Sequence, residues 1–495
     1  MIDINYEIQK LIEYSIYNNL ITKEDEIFIR NQILEVIGLD DFVEQKVDIN
    51  EIKDLEFPCE ILDRITKYAA ENNLLKENIL VYEDILNATI MGRIINRPSI
   101  IRKEFWEKYR QNKELATEYF YDLSRKSNYI RTDRIAKNIS YKYETKYGEL
   151  DITINLSKPE KDPKEIALAR NQKSSSYPKN LLTKENEGYY GRINHPARAN
   201  HRIIELELNN EPWFFQYSPY SYYNEHSIVF SGEIRPMKID RSSFVKLLDF
   251  VTVFPHYFIG SNADLPIVGG SILSHDHFQA GRYTFAMETA LKTFVRKIKD
   301  VEVSVVKWPM SVIRLNSTNK DNMIDLASEI LDKWIMYSQN GIVSHTDGVR
   351  HNTITPIARQ KDGVYELDLV LRNNLTSDEY PLGIYHPHSE YHNIKKENIG
   401  LIEVMGLAVL PSRLKDEMHK LDTIIKSSTN LNEILNKIDE DNDLLKHKEW
   451  IQRYVNDENI KISNVYDFVG DTFSHVLEDC SVLNEDKIKE FIERL

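Results

Sequence analysis

The stretch Pro255–Arg282, PHYFIGSNADLPIVGGSILSHDHFQAGR, places His275, His277 and Gln279 at alternating positions shortly after Gly269-Gly270-Ser271. In an extended segment these three side chains project from one face, because strand side chains alternate with a period of two. The glycines let backbone N–H groups approach an anion closely. The pattern therefore predicts a row of polar groups beside an anion site. The alternative interpretation is a structural hairpin whose histidines satisfy local hydrogen bonds.

The composition is typical of an ordinary globular protein. The chain has 495 residues, 41% hydrophobic and 28% charged, which suits roughly two to four domains with a large core. No stretch approaches the ~18 uninterrupted apolar residues of a membrane helix, and the acidic N-terminus does not resemble a signal peptide. Two cysteines, Cys59 and Cys480, are too few for a disulfide framework or a cysteine-rich zinc module. We therefore expect a cytoplasmic protein.

The charge of the chain restricts its partners. A net charge of −15 argues against nucleic-acid binding, because phosphate backbones require a cationic surface; nothing in the sequence indicates a membrane partner. A small anionic ligand needs only a local basic pocket. Arg192, Arg198 and Arg202 precede the histidine stretch and Arg282 ends it, and all four could line such a pocket.

The distribution of residue types predicts three regions. All 14 histidines lie at or after His195, and 11 of them fall between His195 and His392. Helical periodicity predicts a helical N-terminal region over 1–137 and a helical C-terminal region over 397–495. Between them, residues 138–396 alternate in short runs separated by turn signals, as in Tyr147-Gly148, Asn209-Asn210 and Lys361-Asp362-Gly363. The expected fold class is α+β, with a central body of mostly antiparallel strands.

Two basic segments outside the histidine stretch are candidate phosphate contacts. Gly188–Arg202 contains Arg198 and Arg202, and a second segment carries Arg350 and Arg359 around a short predicted strand. A guanidinium can grip two oxygens of a phosphate at once. The alternative for the first segment is a solvated basic loop.

Two further segments could either bind a ligand or have a purely structural role. The aromatic run Tyr217–His226 could stack on a base or sugar, or could belong to the core. His386, His388 and His392 have a metal-ligand spacing but no obvious carboxylate or cysteine partner. We expect no metal and no cofactor.

The residue types of the histidine stretch indicate nucleotidyl or phosphoryl transfer. A neutral imidazole can attack phosphorus and hold the transferred group covalently. One ring nitrogen then needs a free lone pair, so the other must carry the proton and donate it, typically to a backbone carbonyl. An amide such as that of Gln279 can donate to the charge that develops on a phosphoryl oxygen. Arginines and backbone N–H groups can neutralise the phosphates without a metal.

Five segments together resemble one enzyme family. They read SHDHFQAGRYTFAME, YSPYSYYNEHSIVFSGE, GRINHPARANHRIIEL, HNTITPIAR and LDLVLRNN, and they are similar to the class II galactose-1-phosphate uridylyltransferases, relatives of the histidine triad superfamily. The resemblance implies a histidine-triad-like catalytic body. It also implies that His277 is the nucleophile, with His275 and Gln279 as the other motif residues. Asp276 replaces the proline of the usual His-Pro-His-x-Gln motif.

The resemblance implies an activity. The expected reaction moves a uridylyl group from UDP-glucose to galactose 1-phosphate, giving UDP-galactose and glucose 1-phosphate through a covalent uridylyl-histidine. The alternatives are a related sugar-nucleotide phosphorylase or hydrolase, or a non-catalytic protein that binds sugar nucleotides. The partners are then UDP-glucose, UDP-galactose and hexose 1-phosphates, and the oligomeric state stays open, a homodimer included.

The resemblance also bears on substrate and metal ligands. In the family, an asparagine and a serine lie upstream of the histidine motif, and the resemblance implies that they correspond to Asn262 and Ser271. Relatives often carry a Cys-x-x-Cys pair where this chain has Asn180 and Thr183, which are poor zinc ligands, so a structural metal does not carry over. The full set of expected substrate-binding residues is Asn262, Gly270, Ser271, Arg282, Arg198, Arg202, Arg350 and Arg359.

Overall fold

The computed structural model describes residues 2–157, 168–169, 175–270 and 272–495. The chain divides into two compact units. The first comprises the described residues within 1–137, 157–221 and 225–234, and the second comprises 138–156, 222–224 and 235–495. The division into three regions drawn from the sequence remains a prediction.

The first unit begins with the helices expected from the apolar periodicity. They are α1 (Ile4–Tyr17), α2 (Glu26–Ile37), α3 (Ile49–Lys53), α4 (Cys59–Glu71), α5 (Leu80–Ile94), α6 (Pro98–Gln111), α7 (Lys113–Lys126) and α8 (Thr132–Ile135). Asp3 caps α1 by accepting the N–H groups of Asn5 and Tyr6. Helices α6 and α7 are separated at Asn112, because its side chain accepts the N–H of Glu114 and caps the start of α7.

Three antiparallel strands complete the description of the first unit. They are β3 (Ile204–Leu208), β4 (Glu211–Tyr217) and β5 (Ser227–Ser231). The predicted turn at Asn209 and Asn210 joins β3 to β4, and both asparagines have positive φ angles, 51° and 55°. Asparagine tolerates this left-handed conformation, which a two-residue hairpin turn requires.

The second unit contains a small mixed sheet that the sequence predicted only in part. The expected hairpin forms β1 (Ile139–Thr145) and β2 (Gly148–Ile154) around Tyr147-Gly148. A third strand, β15 (Leu407–Leu410), runs parallel to β2, within the region predicted to be helical. That part of the prediction was wrong, because a four-residue apolar run cannot be assigned to strand or helix by periodicity alone.

The larger sheet of the second unit is antiparallel. Its strands are β6 (Phe258–Gly260), β7 (His277–Gly281), β8 (Lys292–Ile298), β9 (Val301–Val306), β10 (Val312–Ser317), β13 (Asn352–Lys361) and β14 (Val364–Asn373). They lie in the order β7-β6-β13-β14-β10-β9-β8. A separate short pair is β11 (His345–Thr346) and β12 (Val349–Arg350). The expected α+β class with mostly antiparallel strands is confirmed.

Helices flank this sheet within the second unit. They are α9 (Arg241–Val253), α10 (Ala286–Thr289), α11 (Lys320–Ile335), α12 (Leu401–Val404), α13 (Leu414–Ser427), α14 (Leu431–Asp439), α15 (Lys448–Tyr454), α16 (Val465–Asp479) and α17 (Glu485–Glu493). Helix α9 contacts β13 and α11, and it begins at Arg241 because Asp240 caps it by accepting the N–H groups of Ser242 and Ser243.

One apolar cluster ties the small sheet, β6, β13 and the C-terminal helices of the second unit together. Its fully buried members include Leu150, Ile357, Leu401 and Phe473. Helix α16 lies so close to β1 that a Cβ on Gly470 would come 2.3 Å from Cγ of Tyr143. No helix among the described residues is both long and apolar enough to cross a membrane.

Candidate active site

His277 is the first residue of β7 and is 7% exposed. Its Nδ1 lies 2.8 Å from the carbonyl oxygen of His275. A carbonyl oxygen only accepts, so Nδ1 carries the proton and Nε2 keeps its lone pair. Burial lowers the pKa of His277, although the bond to the His275 carbonyl opposes this shift. The ring is therefore neutral near pH 7, which is the state a nucleophile needs.

Gln279 lies two residues further along β7 and pairs with Gly260 of β6. The period of the strand places its side chain on the same face as that of His277. Gly260 leaves room for a close neighbour, since a Cβ there would come 2.7 Å from Cδ1 of Leu401. His275 is buried but precedes the strand. Strand β7 thus carries His277 and Gln279, two of the three residues predicted to form a row of polar groups.

The loop between β6 and β7 is closely packed at the predicted glycines. A Cβ on Gly270 would come 2.6 Å from Nδ2 of Asn262, and one on Gly269 would come 2.5 Å from the carbonyl oxygen of Leu265. Asn262 in turn accepts the N–H of Leu401 at 2.8 Å. Only glycine fits at these two positions, because any side chain would clash with backbone or with Asn262. Ser271 lies outside the described residues.

Asp264 holds the same loop, and the sequence did not single it out. Its carboxylate accepts from Nη2 of Arg350 at 2.7 Å, from the hydroxyl of Thr353 at 2.5 Å and from the N–H of Ile239 at 3.0 Å. Ile267 of this loop has a φ of 74°, a left-handed conformation that costs a β-branched residue about 1–3 kcal/mol. Arg350, predicted to bind substrate, is thus an anchor of the loop through Asp264.

Asp276 lies between the two histidines and is bonded on both its backbone and its side chain. Its N–H donates to the carbonyl of Arg235 at 2.8 Å. Its Oδ2 lies 3.4 Å from Nε of Arg235 and 3.5 Å from Nζ of Lys246, which belongs to α9. Burial raises the pKa of Asp276, and the two cations oppose the shift.

Arg359 lies in a buried ion-pair network that also contains Arg314. Its Nη1 lies 2.7 Å from Asp368 and 3.0 Å from Glu366, and Asp368 also accepts from Nε of Arg314 at 2.6 Å. Asp368 is fully buried, and the two arginines help to lower its pKa although burial acts in the opposite direction. Carboxylates thus already neutralise Arg359. Its contact with a substrate phosphate remains a prediction.

Arg282 directly follows β7 and is half-buried. Its carbonyl oxygen accepts from Nδ2 of Asn224 at 3.2 Å. The structure therefore places this arginine at the end of the strand that begins with His277. Its role toward a phosphate also remains a prediction.

Arg198 and Arg202 belong to the first unit. Arg202 is buried and donates to the carbonyl oxygens of Asn96, Ala199 and His201 at 2.8–3.0 Å; burial lowers its pKa to about 10. The guanidinium of Arg198 lies over the ring of Tyr129, 5.6 Å from its centre. Both arginines have structural partners within their own unit, and substrate contacts by them stay predictions.

Hydrogen bonds connect the residues at the cysteine positions of relatives. Nδ2 of Asn186 donates to the carbonyls of Asn180 and Thr183 at 2.8 and 2.9 Å, and Oδ1 of Asn186 lies 2.7 Å from Nε2 of His195. Burial lowers the pKa of His195 to about 4, so the ring is neutral and Nε2 donates. Asn186 and its bond to His195 were not predicted, because no pattern in the sequence pairs these two residues.

The histidines with metal-like spacing are also hydrogen-bonded. Nε2 of His386 lies 3.1 Å from Oδ1 of Asn398, Nε2 of His388 lies 3.0 Å from the carbonyl of Ile384, and Nε2 of His392 lies 2.9 Å from that of Pro387. Over the part of the chain that the structure describes, no group of three His, Cys, Asp or Glu side chains could hold a metal ion.

A neutral, buried histidine beside a glycine-lined loop has the chemistry of a nucleotidyltransferase, and that is the class of this enzyme. Two family profiles match the chain: "Galactose-1-phosphate uridyl transferase, N-terminal domain" over residues 19–236, and the C-terminal domain of the same family over residues 250–438. The chain belongs to the galactose-1-phosphate uridyl transferase family.

Curated relatives agree with this membership. A galactose-1-phosphate uridylyltransferase of Fusobacterium nucleatum is 49% identical over 97% of this chain and 96% of its own. The enzyme of the same name from Clostridium acetobutylicum is 51% identical over 99% of this chain and 95% of its own. That from Halalkalibacterium halodurans is 49% identical over 96% and 94%.

Proposed function

We propose that the chain transfers a uridylyl group from UDP-glucose to galactose 1-phosphate through a covalent intermediate on His277. The observation that carries the proposal is the bond of 2.8 Å between Nδ1 of His277 and the His275 carbonyl. This bond keeps the proton on Nδ1 and leaves Nε2 free to attack. Family membership and the names of the relatives support the two substrates.

The reaction has two balanced half-reactions. Nε2 of His277 attacks the α-phosphorus of UDP-glucose, and a P–N bond forms as the bond to the bridging oxygen breaks. Glucose 1-phosphate leaves with that oxygen and its electron pair. A phosphate oxygen of galactose 1-phosphate then attacks the same phosphorus, the P–N bond breaks, and its electron pair returns to Nε2 as UDP-galactose forms.

The residues around His277 have roles in this scheme that follow from their chemistry. The carbonyl of His275 stabilises the imidazolium character that develops on the ring during attack. The amide of Gln279, on the same face of β7, donates to the developing charge on a phosphoryl oxygen. Backbone groups of the loop at Gly269 and Gly270 approach the phosphates. The proposed compartment is the cytoplasm, and we expect neither nucleic acid nor membrane as a partner.

Labelling of the enzyme in the absence of acceptor tests the proposal. Uridine-labelled UDP-glucose should release one glucose 1-phosphate per active site and leave the label on the protein. A phosphoramidate is labile in acid and stable in base, so the label should leave in mild acid and survive alkali. Galactose 1-phosphate should recover the label as UDP-galactose.

Two matched variants locate the label. His277→Asn should abolish both labelling and turnover, because Asn has no comparable nucleophilic nitrogen. His388→Asn makes the same change at a half-buried histidine bonded to the carbonyl of Ile384, and it should label normally. Continued labelling of His277→Asn would disprove the assignment. If water or inorganic phosphate, and not galactose 1-phosphate, accepts the group when glucose 1-phosphate is released, the enzyme is a hydrolase or a phosphorylase.

A further inference from the structure

The peptide group between His275 and Asp276 is bonded at both of its polar ends. Its carbonyl accepts the proton of Nδ1 of His277 at 2.8 Å. Its N–H donates to the carbonyl of Arg235 at 2.8 Å. The six atoms of a peptide group lie in one plane, so the bond to Arg235 also fixes the direction in which the His275 carbonyl points. The orientation of this one plane therefore decides how well the nucleophile keeps its proton on Nδ1.

The side chain of Asp276 also helps to fix the peptide group between His275 and Asp276, through its contacts with two cations. Its carboxylate lies 3.4 Å from Nε of Arg235 and 3.5 Å from Nζ of Lys246. The side chains of Asp276 and Lys246 are only 8% and 5% exposed, so water screens this pair little. A buried charge that loses its partner is strongly destabilised. The carboxylate thus stays between the two cations.

These contacts connect the histidine segment to two distant parts of the unit. The N–H of Met237 donates to the carbonyl of Leu273 at 2.8 Å, which adds a second bond between the segments around 235–237 and 273–276. Lys246 lies on α9, a helix that packs against β13. A proline in place of Asp276 would remove the N–H bond and both ion pairs, so this chain holds the segment by contacts that proline could not make.

We propose that Asp276 is a positioning residue for catalysis: through Lys246 and Arg235 it orients the peptide between His275 and Asp276, and that peptide holds the proton on Nδ1 of His277. The inference rests on the proposed function, in which His277 is the nucleophile. In this role Asp276 acts through the peptide plane, by its contacts with Arg235 and Lys246.

Two substitutions separate this role from a general contribution to stability. Asp276→Asn keeps the size and the backbone N–H but loses the charge, and Lys246→Met keeps most of the length of the side chain but loses the cation. Each should slow single-turnover release of glucose 1-phosphate by about 100-fold, the effect of a misplacement of roughly 1 Å, with KM for UDP-glucose unchanged. Lys246→Arg restores a cation and should recover most of the rate.

A spectroscopic signal reports on the proton directly. In enzyme labelled with ¹⁵N at histidine, the Nδ1–H signal that His277→Asn removes should broaden or shift to the other tautomer in Asp276→Asn and Lys246→Met. Asp325→Asn serves as the control, because it removes another ion pair of α9, that of Arg241, whose side chain is 55% exposed. This variant should keep both the signal and the rate.

The outcomes distinguish the inference from the function on which it rests. If the parent enzyme does not label at all, the proposed function fails. If the parent labels and both charge-removing variants label at its rate with an unchanged Nδ1–H signal, the positioning role is wrong and the function stands. Should Asp276→Asn not fold, the comparison of Lys246→Met with Lys246→Arg decides: equally slow variants would overturn the proposal.

Discussion

Asp264→Asn should destabilise the loop that carries Asn262 and Gly270. The carboxylate of Asp264 is 3% exposed and accepts from Arg350, Thr353 and the N–H of Ile239. An asparagine can keep one of these bonds through its oxygen, but its NH₂ group would then face a donor. A buried donor left without an acceptor costs about 1–3 kcal/mol, and breaking a buried ion pair costs about 3–5 kcal/mol.

The exposure of Arg350 reduces this cost. Its side chain is 25% exposed, so water can solvate part of the guanidinium once the charge of Asp264 is gone. We expect a loss of about 3 kcal/mol in the free energy of unfolding, measured from urea transitions. KM for UDP-glucose should rise as well, because the loop loses the order that its contacts impose.

The chain offers a matched control at the surface. Arg241 and Asp325 form an ion pair with the same N–O distance of 2.7 Å, but their side chains are 55% and 50% exposed. Asp325→Asn should therefore cost less than about 1 kcal/mol. If Asp264→Asn costs no more than Asp325→Asn and leaves KM unchanged, burial does not strengthen the Asp264 contacts and the reasoning fails.

Three further predictions concern acidity and metals. The uridylylation half-reaction should keep its rate down to about pH 6.5, the ordinary pKa of histidine, and slow only below it, because burial lowers the pKa of His277; pre-steady-state rates that already fall between pH 8 and 7 would contradict this. Burial also lowers the pKa values of His195 and His447 to about 4, so the stability that these neutral rings contribute is complete above ~6.5 and declines as the pH falls toward about 4. His447→Gln should flatten that decline in urea titrations while the exposed His419→Gln should not, and equal slopes in the two variants would count against it. Treatment with a chelator should leave the unfolding midpoint and turnover unchanged, because hydrogen bonds join Asn180 and Thr183 to Asn186. This prediction is wrong if elemental analysis finds a stoichiometric metal whose removal unfolds the protein.

Local signals in the sequence determined the elements whose cause is local. The turns at Asn209-Asn210 and at Asp362-Gly363 were predictable, because these residues adopt positive φ angles at little cost, and they do so here. The start of α9 follows from Asp240, whose side chain accepts N–H groups within three residues of itself. His277 as candidate nucleophile follows from the resemblance of the five residues His275–Gln279 to the family's motif, and this assignment stays a prediction.

Only the tertiary structure decided which groups face the candidate site. Asp276 meets Lys246 30 positions away, and Asp264 meets Arg350 86 positions away; no periodicity links such pairs. The same is true of β15, whose four apolar residues become a strand because β2 offers an edge, and of Arg359, which carboxylates of β14 surround. Charged side chains in a sequence indicate what chemistry is available, but their partners depend on contacts between distant segments that form only when the chain folds.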